Sequence, residues 1–259
     1  MLSKEQIDAL IPGYELEGNP DECIFMIHGF TGSAPELYPL ATLLQKEGGY
    51  SIIVHALPGH GTSSLKALKK ASPKQWMESV KEGYEKAKAK YKKVYVFGYS
   101  MGGSLAVTIL QNHMPDALIL CEAALEPNTN LGWLAKLCKY LPIKISWGDG
   151  DPLTFPDHSE LYWRGQSGYY IKSAADLLTV AKRAKKVTPT VICPLFLSWA
   201  DQDTSVRKSG IDFVYKNAPA KHKMYKVYPN NTHHLPSEPE KEQLAKDITA
   251  FLKENISVK

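Results

Sequence analysis

The run Val94-Tyr95-Val96-Phe97-Gly98-Tyr99-Ser100-Met101-Gly102-Gly103-Ser104-Leu105-Ala106-Val107 decides how the rest of the chain is read. Its first four residues are apolar and β-prone, and the residues from 104 to 110 have the composition of a helix. Between them Gly98-Tyr99-Ser100-Met101-Gly102 has the Gly-x-Ser-x-Gly pattern of a nucleophile elbow. Strand and helix nearly touch at so sharp a turn, so the positions flanking the serine must lack side chains. The serine itself stands at a helix N-terminus, where unpaired N–H groups and the dipole favour developing negative charge. An ordinary glycine-rich strand–helix turn has the same local composition. The choice between the two rests on what the other loops carry.

Toward the N-terminus, Glu22-Cys23-Ile24-Phe25-Met26-Ile27 is continuously apolar after its first residue, as in a strand buried on both faces of a parallel sheet. It runs into His28-Gly29-Phe30-Thr31-Gly32-Ser33. A helix is expected over about 35–47, stopped by Gly48-Gly49, then a strand over 51–54 and a second glycine-rich loop, Leu57-Pro58-Gly59-His60-Gly61-Thr62-Ser63. The next helix, about 73–89, places Trp76, Val80, Tyr84 and Ala87 on one face. Beyond the central run come strands over 117–121, 194–199 and 223–228, a helix to about 217 and a terminal helix over 239–253. Between 126 and 189 this rhythm breaks into Pro, Gly and aromatic residues, followed by a helix over about 174–186. We expect this stretch to be a cap inserted into a core of 1–125 and 190–259. Strands alternating with helices predict an α/β fold with a mostly parallel, doubly wound sheet. Ligands bind at the carboxyl ends of such strands, so the glycine-rich loops should converge there.

The 259 residues suit one domain, or one domain with an insertion. With 44% hydrophobic and 22% charged residues the composition is that of an ordinary globular chain. The net charge of +4 comes from dispersed lysines, notably in 66–74 and 81–93. The second group forms the solvated face of the helix at 73–89, and nucleic-acid binding is not expected without a focused basic patch. The start of the chain lacks the apolar h-region of a signal peptide, and no apolar run approaches the ~20 residues of a membrane span. Stable membrane insertion is therefore not expected. Cys23, Cys121, Cys138 and Cys193 form no Cys-x-x-Cys pair, which argues against zinc and against a disulfide framework and for a reducing, cytoplasmic setting. The eight histidines include no His-Glu-x-x-His, and no Gly-Lys-Ser/Thr follows the central glycines. Neither a metal nor a cofactor is expected, and the oligomeric state is not legible.

A serine on the central turn, acids on the loop after a late strand (Asp201, Asp203) and histidines after the last strand (His233, His234) follow the chain order Ser, Asp, His. That order, with His28-Gly29-Phe30-Thr31-Gly32, Gly59-His60-Gly61-Thr62 and Gly98-Tyr99-Ser100-Met101-Gly102-Gly103, resembles the bacterial monoacylglycerol lipase and carboxylesterase branch of the α/β-hydrolases. The likeness covers about 22–125 and 190–255; the cap is similar only in position and size. The resemblance implies Ser100 as nucleophile. It implies His233 as its base, five residues beyond the Tyr228 that ends the last strand. It implies Asp203 as the acid within Gly-x-x-Asp-x-x-Val, with Ala200 in place of the glycine and Val206 closing the pattern. His234 is then a neighbour, and Asp201 a loop residue bonding nearby backbone. A serine hydroxyl needs such a base, and the base a carboxylate to fix its tautomer. The oxyanion of a tetrahedral intermediate needs two N–H donors, for which Met101 and Phe30 are the expected residues. His28 is expected to brace its loop and His60 to pack within its own.

The cap sets the substrate and is the least legible part. Trp133, Phe155, Trp163 and Tyr169 either wall an acyl pocket or fill the cap's own core. Lys182, Arg183, Lys185 and Lys186 read as a solvated helix face rather than a lipid-binding one. The expected activity is a serine carboxylic-ester hydrolase on short- to medium-chain acyl esters, possibly monoacylglycerols, with a small-molecule ester and water as partners. A cinnamoyl or feruloyl esterase on the same scaffold is the alternative within the class. A ligand-binding protein on a hydrolase scaffold is the alternative outside it, and the presence of Ser, Asp and His together argues against that.

Overall fold

Runs that are apolar on both faces can be buried only inside a two-sided sheet, and here they become adjacent strands. In the computed structural model, which describes residues 2–128, 137–146 and 159–256, the chain begins with α1 (Lys4–Ala9), β1 (Tyr14–Leu16) and β2 (Asn19–Ile27). A 3-10 turn (Ala34–Leu37) leads into α2 (Tyr38–Gly48), followed by β3 (Tyr50–His55), α3 (Leu65–Lys70) and α4 (Pro73–Lys90). Then come β4 (Lys93–Tyr99), α5 (Met101–Ile109), β5 (Ala117–Cys121), β6 (Lys144–Ser146), β7 (Gly168–Tyr170) and α6 (Ile171–Val187). The chain closes with β8 (Leu195–Ala200), α7 (Lys208–Asn217), β9 (Lys223–Tyr228) and α8 (Lys241–Ile256).

Among the described residues the main sheet has seven strands in the order β1-β3-β2-β4-β5-β8-β9. All neighbours are parallel except β1, which runs antiparallel to β3. This is the doubly wound parallel sheet that the alternating sequence predicts. Side chains alternate between two cores. Phe25, Val96, Leu118 and Leu120 join Trp76, Leu105, Val180 and Ile211 on one face. Met26, Phe97, Ile119 and Phe196 join Leu40, Leu44, Ile248 and Phe251 on the other. Burying each such side chain is worth roughly 1.5–3 kcal/mol, which is why the strands pair inside and not at the surface.

The local signals work as expected. Ser72 caps α4 by accepting the Gln75 N–H, Pro73 opens the helix, and Trp76, Val80, Tyr84 and Ala87 face the core. The Trp76 indole N–H, otherwise an unpaired buried donor, bonds Pro58 O at 2.9 Å. Helix α2 ends at Gly49, whose left-handed φ of 77° suits glycine. Register aligns the strand ends: Ile27 lies opposite Gly98, Tyr99 opposite Cys121, Cys121 opposite Ser198, and Ala200 opposite Tyr228. The loops after β2, β4, β5, β8 and β9 therefore leave the sheet side by side.

Within 126–189 the described residues fall into two kinds. Strands β6 and β7 form a small antiparallel pair, Ile145 opposite Tyr169. Helix α6 instead packs on α5 and places Leu177, Val180, Ala184 and Val187 in the same core as β4 and β5. It occupies the place of the crossover helix between β5 and β8.

Candidate active site

The elbow is built by exclusion. A Cβ at Gly98 would stand 2.4 Å from Gly102 O, one at Gly102 would stand 2.2 Å from Ile27 O, and one at Gly103 2.5 Å from Ala123 Cβ. Strand β4, the start of α5 and the neighbouring strand ends are thus in backbone contact, and only glycine fits. Ser100 takes the strained conformation φ 53°, ψ −119°. Its backbone is pinned on both sides, with Ser100 N–H bonding Cys121 O and Ala124 N–H bonding Ser100 O, each at 2.9 Å. The turn lifts the Ser100 side chain to the carboxyl edge of the sheet, at the N-terminus of α5.

The loops after β8 and β9 bring their residues to the same point. Ser100 Oγ lies 2.9 Å from His233 Nε2, and His233 Nδ1 lies 2.7 Å from Asp203 Oδ2. A carboxylate can only accept, so Nδ1 carries the proton and Nε2 presents its lone pair to the serine hydroxyl. The Asp203 carboxylate is fully enclosed. Its other oxygen accepts the Ser205 and Val206 N–H groups at 2.7 and 3.0 Å. The His233 loop is held from behind by Glu238, which accepts Thr232 N–H at 2.7 Å and also the Thr232 hydroxyl. Asp201 is exposed and makes its loop contact through its backbone, N–H to Tyr228 O. His234 is not in the chain of contacts to Ser100. Its Nδ1 lies 3.4 Å from the Tyr99 hydroxyl, and burial, then the adjacent His233, holds its imidazole down at about 4.

Met101 follows Ser100 directly, and Phe30 follows Gly29 in the loop after β2. Met101 opens α5, so its N–H has no carbonyl four residues back to bond. Gly29, which precedes the peptide carrying the Phe30 N–H, lies against the elbow: a Cβ there would fall 3.3 Å from Ser100 Cβ. His28 braces this loop. Its Nε2 accepts Leu57 N–H at 3.1 Å, which leaves Nδ1–H to donate to Gly29 O at 2.9 Å. Burial pushes the His28 imidazole well below its ordinary value, so it stays neutral. The His60 ring packs edge-on against His28 and near Trp76, a packing position.

Two further carboxyls, Glu36 and Glu122, are buried near the site. Glu36 accepts the Gly29 N–H at 2.8 Å, and burial pushes its carboxyl up to about 8. Glu122 follows β5 with a left-handed φ of 45°. It accepts the Ser198 hydroxyl at 3.1 Å and the Cys121 thiol at 2.7 Å. Burial raises it to about 8, with the nearby Asp203 charge adding to the shift. The spacing Ser33-x-x-Glu36 matches a capping box and marks the first of these; nothing local marks the second.

Of the four expected pocket residues, Trp133 and Phe155 lie outside the described residues. Tyr169 is half-buried with its ring 5.4 Å from that of Phe30, which places it at the site. Trp163 is 38% exposed and packs along Gly165, which itself lies close to Thr31 O. The segment is docked by Gln166, whose N–H bonds Thr31 O at 2.8 Å and whose side chain bonds Gly59 O and Ser64 O. Among the described residues no cluster of three or more His, Cys, Asp and Glu is arranged to hold a metal. No helix among them is long and apolar enough to cross a membrane.

Residues 18–240 match the model of the family described as "Serine aminopeptidase, S33". The chain is 29% identical over 201 residues to the thermostable monoacylglycerol lipase of Bacillus sp. (strain H-257), covering 74% of this chain and 75% of that one. It is 20% identical over 233 residues to a carboxylesterase of Bacillus subtilis (strain 168), covering 90% and 92%. A solved structure from the work on LipS and LipT, two metagenome-derived lipolytic enzymes, superposes with a TM-score of 0.84 at 20% identity, over 94% of this chain and 98% of that one. The chain therefore belongs to the S33 family of serine hydrolases and has the α/β-hydrolase fold.

Proposed function

We propose that this protein is a serine carboxylic-ester hydrolase acting on short- to medium-chain acyl esters, with monoacylglycerols as its physiological class. The observation that carries the reading is the hydrogen-bonded series Asp203–His233–Ser100, with spacings of 2.7 and 2.9 Å. The order and backbone support of these residues fit acyl transfer through a covalent intermediate.

Ser100 Oγ attacks the ester carbonyl carbon as His233 Nε2 takes the hydroxyl proton, and Asp203 stabilises the resulting imidazolium. The carbonyl oxygen becomes an oxyanion, received by the N–H groups of Met101 and Phe30, each worth about 3–4 kcal/mol at the transition state. Collapse breaks the bond to the alcohol oxygen, which takes the proton from His233. The product is the alcohol and an acyl ester on Ser100. A water then gives its proton to His233, attacks the acyl carbon and releases the acid, and Ser100 regains its proton. Tyr169 beside Phe30 forms one wall of the acyl site. Four free cysteines, three of them buried, fit a reducing, cytoplasmic setting.

Hydrolysis of p-nitrophenyl esters from acetate to laurate, a feruloyl ester and an aminoacyl p-nitroanilide tests this, with Ser100→Ala as control. The expected profile peaks at short to medium acyl chains and vanishes in the mutant. A peak on the feruloyl ester replaces the substrate class, and turnover of the anilide without the esters replaces the reaction. No turnover of any of these substrates would favour a binding protein on the same scaffold.

A further inference from the structure

The buried carboxyl of Glu36 lies inside the loop that carries Phe30. Its Oε1 accepts the Gly29 N–H at 2.8 Å across seven residues of sequence, and the Ser33 amide bonds the same carboxyl. The loop wraps it so closely that a Cβ at Gly32 would fall 2.1 Å from Glu36 Oε2. The Glu36 carbonyl accepts the Ser237 hydroxyl at 3.0 Å, tying this loop to the turn that follows His233 and His234. Gly29 is thereby held at both ends: its N–H by Glu36 and its carbonyl by His28 Nδ1–H at 2.9 Å. The Gly29–Phe30 peptide is planar, so the direction of the Gly29 carbonyl sets the direction of the Phe30 N–H.

We propose that Glu36 is a positioning residue of the oxyanion hole: by holding the Gly29 N–H, its carboxyl fixes where the neighbouring Phe30 N–H points. The inference rests on Phe30 being an oxyanion donor, as set out above. A carboxyl that served only the Ala34–Leu37 turn would need the Ser33 amide alone; the Gly29 contact reaches outside that turn. Burial keeps this carboxyl protonated at neutral pH. It therefore holds the amide without a full negative charge beside a developing oxyanion. A glutamine carbonyl can make the same contact.

The test compares Glu36→Ala, Glu36→Gln and Gly32→Ala by kcat, KM and inhibition by an alkyl trifluoromethyl ketone, whose adduct on a serine carries an oxyanion. Misdirecting one donor costs about ten- to a hundredfold in turnover. Glu36→Ala should lose that much in kcat with KM within about threefold, and lose inhibitor affinity in proportion, while Glu36→Gln stays within about threefold of wild type. Gly32→Ala leaves the carboxyl in the protein but displaces it, and should show the same paired losses even if Glu36→Ala does not fold. Wild-type kcat and inhibitor affinity in a folded Glu36→Ala or Gly32→Ala variant overturns the proposal. So does a loss of kcat without loss of inhibitor affinity, or a glutamine variant as impaired as the alanine one. Ser100→Ala separates the two levels. Activity surviving in that mutant removes the serine reading itself, whereas an inactive Ser100→Ala beside an unaffected Glu36→Ala removes only the role of Glu36.

Discussion

Replacing Asp203 by asparagine should disable the base without disturbing the fold. One oxygen of Asp203 is committed to the Ser205 and Val206 N–H groups at 2.7 and 3.0 Å. An asparagine must place its carbonyl there, which turns its NH2 toward His233 Nδ1, where the carboxylate now sits at 2.7 Å. Two N–H groups cannot share that contact, so the imidazole moves its proton to Nε2. The atom 2.9 Å from Ser100 Oγ then donates and can no longer accept the serine proton. A wrong tautomer of this kind costs about 10⁴ in turnover, which corresponds to about 5 kcal/mol. The side chain is nearly isosteric, so the melting temperature should move little. Asp201→Asn, at an exposed position whose loop bond is made by its backbone, should stay within about twofold of wild type. Steady-state hydrolysis of p-nitrophenyl butyrate, with circular dichroism to check folding, measures both. A folded Asp203→Asn variant within about tenfold of wild type, or a larger loss in Asp201→Asn, would refute the reasoning.

The two histidines should separate in the same way: His233→Ala should lose at least about 10³ in turnover. His234→Ala, which removes only a neutral ring beside Tyr99, should lose less than about tenfold; comparable losses would mean the base is misassigned. Glu122 titrates at about 8 when folded against an ordinary value of 4.5. The folded state therefore holds a proton that the unfolded chain releases, and stability is fully present below 4.5 and lost as pH rises toward 8. The slope is at most about 1.4 kcal/mol per pH unit from this group. Glu122→Gln should flatten the fall seen by urea unfolding between pH 6.5 and 8, Glu36 supplying a parallel component; an unchanged slope would contradict this. Gly102→Ala forces a Cβ to within 2.2 Å of Ile27 O and 2.6 Å of His28 O, where backbone itself must move. We expect a loss of about 3 kcal/mol, or roughly 6–12 °C in melting temperature, and a calorimetric shift under about 2 °C would speak against the close contact.

The sheet was legible because its cause is local. A run such as Ile24 to Ile27 is apolar on both faces and has only one place to go. The elbow was legible because backbone contact demands glycine at 98, 102 and 103, and the sequence has it. Short pieces carried too little pattern: the three residues of β1, the β6–β7 pair and the single turn and a half of α3. For the helix at 171–187, periodicity does not say which partner a buried face meets. This helix lies within the stretch expected to form the cap, and it packs on α5 beside the sheet core. The burial of Glu36 and Glu122 carries no such local signature, because a carboxyl's burial depends on loops brought together from far along the chain. Trp163 and Tyr169 looked alike as aromatic residues of one insertion, and only packing separates them: Tyr169 meets Phe30, while Trp163 remains partly in solvent.

The proposed reaction passes through one covalent bond, to Ser100 Oγ. A fluorophosphonate ester, followed by intact-mass measurement and peptide mapping, reads that bond directly. A single adduct on the peptide carrying Gly98 to Gly103, located at Ser100, formed in step with the loss of esterase activity and absent in Ser100→Ala, is the predicted result. Undiminished activity after full labelling, or inactivation with the adduct on another residue, would contradict the account.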